Sequence, residues 1–324
     1  MKAVVCKTIE NETKDMRTGY CEAMMELAEE NPKITALDAD LMAAMGMAPF
    51  GKKFPGQTVD CGIQEANMVG VACGLSAAGY VPFAHTFAPF ITRRACDQVF
   101  MSGAYAKMNV KLVGSDPGIT AELNGGTHMP FEDMGIMRGI PTMTVIEPTD
   151  IAMLKNLLPK IAKTYGMHYL RLVRKSVKKV YEDGSDFEIG KAVTLREGDD
   201  LTVIASGFCV AEALRAADLL KTEGISVRVL NMFTWKPIDR EAILAAAEET
   251  GGIVTAENHN VINGLGSAVA EVLVKEKPVP VKMVGVQDEF GEVGKLHELS
   301  KRFGLEAEQI AEAVKEVMKR KESK

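Results

Sequence analysis

Short apolar runs alternate with longer stretches of helical periodicity through the first half of the chain. Strands are predicted over residues 33–39, 80–84, 109–115, 143–147 and 168–174. Helices are predicted from a cap at Asp15 through Glu29, and over 64–79, 90–106 and 150–163. A stretch rich in Gly and Pro, 116–142, is predicted to be a loop. Such an alternation is typical of parallel α/β architecture.

The pattern breaks between residues 175 and 199, where polar segments predict a linker, and then restarts. Second-half strands are predicted over 201–206, 226–231, 252–257 and 279–286. Helices are predicted over 208–222, 239–249 and 306–320, and one begins at "NGLGSAVAEVL". A length of 324 residues is enough for about two domains. We therefore predict two parallel-sheet-dominated α/β domains, residues 1–185 and 186–324.

Composition narrows the classes of partner. A formal charge of −6 argues against nucleic acid or an anionic membrane as the main ligand. No apolar stretch approaches the 18 residues of a membrane span, and the N-terminal apolar run is too short for a signal peptide. The six cysteines form no CxxC pair, which predicts free thiols in a reducing compartment. We expect a cytoplasmic protein.

Ligands of parallel sheets collect at the carboxyl ends of the strands. Four segments are predicted to lie there: "LDADL" (37–41), "DCGIQEANM" (60–68), "AHTFAPFITRRACDQ" (84–98) and "LNGGTHMPFED" (123–133). Glu65 begins an apolar helix, where an acid either complements the helix dipole or takes part in catalysis.

No HExxH or paired-cysteine motif is present, so no metal ligand is predicted in this chain.

Two first-half segments resemble the pyrimidine-binding domain of transketolases and 1-deoxyxylulose-5-phosphate synthases. They are "DCGIQEANMVGVACGLSAAGYVPFAHTFAPFITRRACDQV" and "GGTHMPFEDMGIMRGIPTMTVIEPTD". In the second half, "TAENHNVINGLGSAVAEVL" and "DEFGEVGKLHELSKRFGL" resemble the C-terminal domain of transketolases. The resemblance implies a thiamine-diphosphate-binding pyrimidine-domain fold followed by a transketolase C-terminal-domain-like fold.

The resemblance also implies roles for residues. Glu65 matches the glutamate that shares a proton with N1′ of the thiamine diphosphate aminopyrimidine, so it is a predicted catalytic residue. Phe87 and Phe90 match the residues that stack on and wall the pyrimidine ring. His128 matches a catalytic histidine that contacts the substrate carbonyl or hydroxyl.

The donor pocket carries further matches and some departures. Arg93 or Arg94 could serve an anionic ligand, and Arg93 matches the arginine of deoxyxylulose-phosphate synthases; Arg174 matches an arginine that binds the sugar phosphate. Where transketolases usually have an acid and a phosphate-site histidine, this sequence has Asn124 and Asp116, and "LMAAMG" lacks their serine. These changes predict a sugar with a different anion or hydroxyl pattern.

The sequence contains no GDG, the motif that begins the magnesium and diphosphate site of the family it resembles. The chain therefore resembles the C-terminal subunit of a split transketolase, active only with an N-terminal subunit that binds the diphosphate and Mg²⁺. We predict an α2β2 assembly that transfers a two-carbon ketol unit from a ketose to an aldose. Three alternatives remain: a 1-deoxyxylulose-5-phosphate synthase-like enzyme, the β subunit of a 2-oxoacid dehydrogenase, and an assembly subunit without chemistry.

Overall fold

A computed structural model describes residues 3–322, so the predicted domain limits at residues 1 and 324 lie outside the described residues. The strands of the first half are β1 (Val5–Asn11), β2 (Ile34–Asp38), β3 (Thr58–Asp60), β4 (Val81–Phe87), β5 (Lys111–Ser115), β6 (Thr144–Ile146), β7 (His168–Leu172) and β8 (Lys178–Tyr181). Its helices are α1 (Met16–Glu30), α2 (Ala48–Lys53), α3 (Glu65–Ala77), α4 (Cys96–Gln98), α5 (Asp133–Gly139) and α6 (Ile151–Lys163). Two π-helical stretches, Phe90–Arg94 and Val99–Tyr105, flank α4.

The second half has the same alternation. Its strands are β9 (Val193–Arg196), β10 (Leu201–Ala205), β11 (Val227–Asn231), β12 (Thr234–Lys236), β13 (Ile253–Asn260) and β14 (Val281–Val286). Its helices are α7 (Cys209–Thr222), α8 (Arg240–Thr250), α9 (Leu265–Glu276), α10 (Leu296–Arg302) and α11 (Ala307–Glu322). Among residues 3–322, no helix combines the length and the apolar character needed to cross a membrane.

The strands form two large sheets in which most neighbours run parallel. One has seven strands in the order β12-β6-β7-β5-β4-β2-β3, and the other has five in the order β14-β13-β10-β11-β9. Only the edge strands β12 and β9 pair antiparallel within these sheets. Strands β2, β5, β7 and β10 are buried along their whole length, since helices cover both faces of a parallel sheet. The predicted α/β fold class is confirmed.

Several short elements differ from the prediction. The predicted loop 116–142 contains a 3₁₀ segment, Gly118–Asn124, and helix α5. The predicted linker 175–199 contains β8, which pairs with β1, and β9, which joins the second sheet. Strand β12 joins the first sheet although it belongs to the second half. Short edge strands gain their partners from tertiary contacts, so their sequences carry little periodic signal.

A buried ion-pair network crosses between the two halves of the chain. Arg171, on β7, is fully buried and donates to Asp133 from Nε and Nη2, at 2.8 and 2.9 Å. Its Nη1 donates to Glu147 Oε1 at 2.7 Å, and Nη2 also donates to the carbonyl of Asn258, on β13, at 3.0 Å. Burial alone would raise the pKa of the Asp133 carboxyl, but the charge and hydrogen bonds of Arg171, together with His259 and Tyr169, outweigh burial and lower that pKa. Arg171 thus bonds to two carboxylates of the first half of the chain and to one backbone carbonyl of the second half.

Candidate active site

The site is built at the carboxyl ends of five parallel strands that are consecutive in the first sheet, β7, β5, β4, β2 and β3. Phe87 is the last residue of β4, Asp116 follows β5 directly, and Arg174 lies two residues beyond β7. Because these strands are neighbours, the three side chains lie side by side although the sequence separates them. This placement agrees with the general location of ligand sites in parallel sheets.

Glu65 is the first residue of α3, and its side chain is only 2% exposed. Gly62, with φ of 67°, makes the turn between β3 and this helix. Arg94 donates from Nη1 to Oε1 of Glu65 at 2.7 Å, and the arginine side chain is 48% exposed. Glu65 is therefore a buried carboxylate. Among the described residues its one ion-pair partner is Arg94, whose side chain is half exposed to solvent.

Three aromatic rings lie together beside Arg94, the ion-pair partner of Glu65. Phe87 and Phe90 are 5.8 Å apart between ring centroids, and the His128 ring meets them edge-on at 5.8 and 5.2 Å. The guanidinium carbon of Arg94 lies 4.0 Å from the Phe90 centroid. Burial, followed by the charges of Arg94 and Arg93, lowers the pKa of the His128 imidazole. The imidazole is consequently neutral near pH 7.

Asp116 and Arg174 form an ion pair next to the aromatic cluster. Arg174 Nε lies 3.1 Å from Asp116 Oδ2, and the Arg174 guanidinium carbon lies 5.4 Å from the Phe87 centroid. Asp116 is completely buried, and this burial raises its pKa to about 6 although Arg174 and Lys175 oppose the shift. The pair thus places a cation at the aromatic wall with a carboxylate behind it.

Two predicted residues are directed elsewhere. Arg93 Nε pairs with Glu132 Oε1 at 2.9 Å, and its Nη2 donates to the carbonyl of Thr127 at 3.3 Å. Asn124 is exposed, and its amide makes no hydrogen bond within residues 3–322. The structure therefore brings Glu65, Phe87, Phe90, His128, Asp116 and Arg174 together, whereas Arg93 is held by Glu132 and the Thr127 carbonyl, and Asn124 has no hydrogen bond to another site residue within residues 3–322.

Sequence reasoning missed two features of the site. Arg94 contacts Glu65 and Phe90 because the π-helical stretch changes the direction of its side chain relative to an α-helix, and the predicted α-helix gave no such signal. Asp38 and His85 are paired across β2 and β4, with Oδ2 and Nε2 3.1 Å apart, and both side chains are completely buried. The only sequence signal for this pair was Asp38, an acidic residue at the end of a predicted strand.

Comparison with known proteins decides the family. Residues 12–179 match the transketolase pyrimidine binding domain, and residues 190–310 match the transketolase C-terminal domain. The chain belongs to the transketolase family. It is the C-terminal subunit of a thiamine diphosphate-dependent transketolase, so the predicted family and reaction class are confirmed.

Three similar proteins align with this transketolase chain over almost their whole length. The 6-deoxy-6-sulfo-D-fructose transketolase subunit SqwH of Clostridium sp. (strain MSTE9) is 52% identical over 306 residues, which are 94% of this chain and 95% of the relative. An apulose-4-phosphate transketolase subunit of Phocaeicola vulgatus is 37% identical over 305 residues, 94% and 97% respectively. A solved structure of a split-gene transketolase, described as an inactive β4 tetramer, is 43% identical with a TM-score of 0.88, covering 94% of this chain and 98% of that one.

The residues present fit the aminopyrimidine of the transketolase cofactor. The Arg94 guanidinium is planar, stacks on Phe90 and donates an N–H to buried Glu65. An aminopyrimidine that is protonated at a ring nitrogen, or in its imino form, needs the same two groups: a flat apolar surface against which the ring stacks, and an acceptor for the ring N–H. Within residues 3–322, no group of three or more His, Cys, Asp or Glu side chains could hold a metal ion.

Proposed function

We propose that this chain works with a separate N-terminal subunit to move a two-carbon ketol unit from an anionic ketose to an aldose. The observation that carries the proposal is the buried Glu65 carboxylate with a planar N–H donor stacked on Phe90 beside it. We also propose that residues 1–185 form the pyrimidine-binding domain and residues 186–324 the C-terminal domain.

Each site residue is given one role in this proposal. Glu65 holds a proton at the pyrimidine nitrogen through Oε1, while Phe87 and Phe90 orient the ring and exclude water from it. His128, neutral and in contact with both phenylalanines, donates or accepts a hydrogen bond at the substrate oxygen. Arg174 binds the anion of the sugar. Bound thiamine diphosphate supplies the carbanion chemistry that breaks and forms the carbon–carbon bond.

Arg93 and Asn124 are proposed to contact the substrate from the loop side. Arg93 holds the loop around His128 through Thr127 and Glu132. Asn124 lies two residues after Glu122, whose φ of 48° is rare for a non-glycine residue, and directly before Gly125, with φ of 73°. The exposed amide can both donate to and accept from a sugar hydroxyl, which a carboxylate cannot do.

A partner subunit is proposed to bind beside Glu65 and to supply the ligands of Mg²⁺ and the diphosphate. Apolar side chains are exposed just before α3 and on the π-helical stretch that packs against α3: Ile63, Phe100, Met101 and Tyr105. Gly70 and Gly74 are exposed on α3, and a Cβ atom added at either position would face open space within the described chain. This face suits close packing of another chain.

We propose an α2β2 assembly in the cytoplasm with a sugar as the ligand and neither nucleic acid nor a membrane as a partner. All six cysteines are free, as expected in a reducing compartment. The similar solved structure is described as an inactive tetramer of β chains, which supports self-association without activity. The name of one relative refers to a sulfonated sugar and the name of the other to a sugar phosphate, so the donor sugar of this chain is proposed to carry one of these two anions.

Reconstitution tests the proposal directly. The purified chain is mixed with a candidate N-terminal subunit that carries GDG and a downstream asparagine, and ketol transfer is measured with thiamine diphosphate, Mg²⁺ and a panel of ketoses. We expect transfer from the mixture and none from either chain alone. Calorimetry on the isolated chain should show no tight cofactor binding. Turnover or tight binding by the isolated chain would contradict the proposal, and an inactive mixture with every ketose would favour the assembly-subunit alternative.

A further inference from the structure

The basic side chains around Asp116 are already neutralised within the chain. Three basic side chains favour the ionised form of Asp116 through their charge, and each of them is paired with one carboxylate. Arg174 pairs with Asp116, Arg17 with Asp15, and Lys175 with Glu122. The site next to the aromatic wall therefore has no net surplus of positive charge from these groups. A site that selects a strongly charged anion normally has an excess of cations instead.

Arg174 is the one of these cations that lies against the aromatic cluster. Its side chain is 19% exposed, and its Nε lies 3.1 Å from Asp116 Oδ2. Nη1 and Nη2 make no hydrogen bond within the part of the chain that the structure describes. Two parallel N–H groups can therefore meet two oxygens of an anion whose carbon chain lies along Phe87.

Asp116 sets how much negative charge that anion can carry. Its carboxylate is completely buried, and neither oxygen has a hydrogen-bond partner, so Arg174 is its principal compensation. A ligand with a single negative charge shares Arg174 with this carboxylate. A second negative charge on the ligand would meet only Arg17 and Lys175, which already pair with Asp15 and Glu122, and it is repelled by the buried carboxylate through a medium of low polarity.

We propose that Asp116 makes this site select a ketose with a terminal monoanion of the sulfonate class over the corresponding dianionic phosphate ester. A sulfonate offers the same three acceptor oxygens as a phosphate but only one charge. This inference rests on the proposed function, since it concerns the donor sugar of the same site. It assigns to Asp116 a role in specificity and none in the chemical step.

The experiment compares three donors in the reconstituted two-subunit enzyme at pH 7.5: 6-deoxy-6-sulfofructose, fructose 6-phosphate and fructose. The key variant is Asp116→Asn, which removes the charge with little change of shape. Because Asn tolerates the positive φ of 56° at this position, the backbone should be retained. Asp183→Asn is the matched control, since Asp183 is 86% exposed and lies in a surface ion pair with Lys179. Unfolding midpoints are measured for both variants.

We expect the wild-type enzyme to favour the sulfonate over the phosphate by at least about tenfold in kcat/KM, and Asp116→Asn to shift this ratio toward the phosphate by about tenfold, or about 1.4 kcal/mol. Asp183→Asn should leave the ratio unchanged. A second variant, Arg174→Gln, should lower kcat/KM for the sulfonate to the value for fructose. A wild-type preference for phosphate, or an unchanged ratio in Asp116→Asn, would overturn the inference alone. No transfer from any of the donors would overturn the proposed function and this inference with it.

Discussion

Arg94 donates from Nη1 to Oε1 of Glu65 at 2.7 Å while its guanidinium carbon lies 4.0 Å from the centre of the Phe90 ring. Arg94 is thus the ion-pair partner of Glu65, the buried acid that begins α3. The same guanidinium also covers one face of the Phe90 ring. Any planar ligand that stacks on Phe90 and donates to Glu65 competes with Arg94. Because the Arg94 side chain is 48% exposed, it can turn into solvent at low cost.

Arg94→Ala should tighten thiamine diphosphate binding to the assembled two-subunit enzyme. A partly exposed ion pair contributes up to about 1 kcal/mol, so we expect the apparent Kd to fall by up to about fivefold. Calorimetry with the assembled enzyme measures this change. Arg215→Ala, which removes an exposed arginine paired with Glu212, is the control. Weaker cofactor binding in Arg94→Ala would show that the arginine assists the ligand.

Glu65→Gln should abolish transfer while the subunits still assemble. The amide keeps the shape of the side chain but does not hold a proton at the pyrimidine nitrogen, and loss of a positioned acid–base group typically costs about 10²–10⁴-fold in rate. Single-turnover kinetics measures the chemical step, and size-exclusion chromatography measures assembly. Near-normal turnover of the mutant complex would refute the role given to Glu65.

The imidazole of His128 should titrate below its ordinary pKa. Burial and the charges of Arg94 and Arg93 disfavour the imidazolium, so the folded chain binds this proton more weakly than the unfolded chain. The stability that depends on His128 is therefore complete above about pH 6.5 and is lost as the pH falls below it. Proton NMR titration, assigned by the resonance missing in His128→Asn, tests this. A pKa at or above about 6.5, the ordinary value, would contradict it.

The preference for a sulfonate should weaken in acid. The pKa of Asp116 is about 6, raised by burial, and the second pKa of a phosphate ester is also about 6. As the pH falls through this value, the carboxylate becomes increasingly neutral and the phosphate increasingly singly charged, so both causes of discrimination weaken together. We expect the sulfonate-to-phosphate ratio of kcat/KM to fall from pH 7.5 to pH 5.5. A constant ratio would argue against charge as its origin.

Arg171→Met should destabilise the chain severely. Removing the guanidinium leaves Asp133 and Glu147 buried without their cation, and breaking a buried pair in this way costs about 3–5 kcal/mol. The midpoint of urea unfolding, followed by circular dichroism, measures the loss. Arg215→Met is the exposed control and should change the midpoint little. A loss below about 1 kcal/mol in Arg171→Met would mean that the network contributes little to stability.

Local pattern was sufficient for the main elements of this protein. The helix begun by Glu65, the buried strand β5 and the part of β4 that lies within the predicted range 80–84 follow from periodicity, because burial of a helix face or of a central strand constrains nearby residues in sequence. The last three residues of β4, which end at Phe87, were not predicted. The strand-end rule predicted the loops that carry Glu65, Phe87, Phe90 and His128, but not the positions of Asp116 and Arg174. These features depend only on covalent order and on the apolar character of neighbouring positions.

Tertiary structure alone decided which of these residues meet. Strand order places β5 beside β7, and this juxtaposition pairs Asp116 with Arg174, although nothing local to either residue predicts it. The π-helical stretch turns Arg94, and not Arg93, toward Glu65. The edge strands β1, β8, β9 and β12 likewise exist because a partner strand lies alongside. Periodicity is a local property of the chain, whereas contacts between strand ends depend on how the whole sheet is assembled.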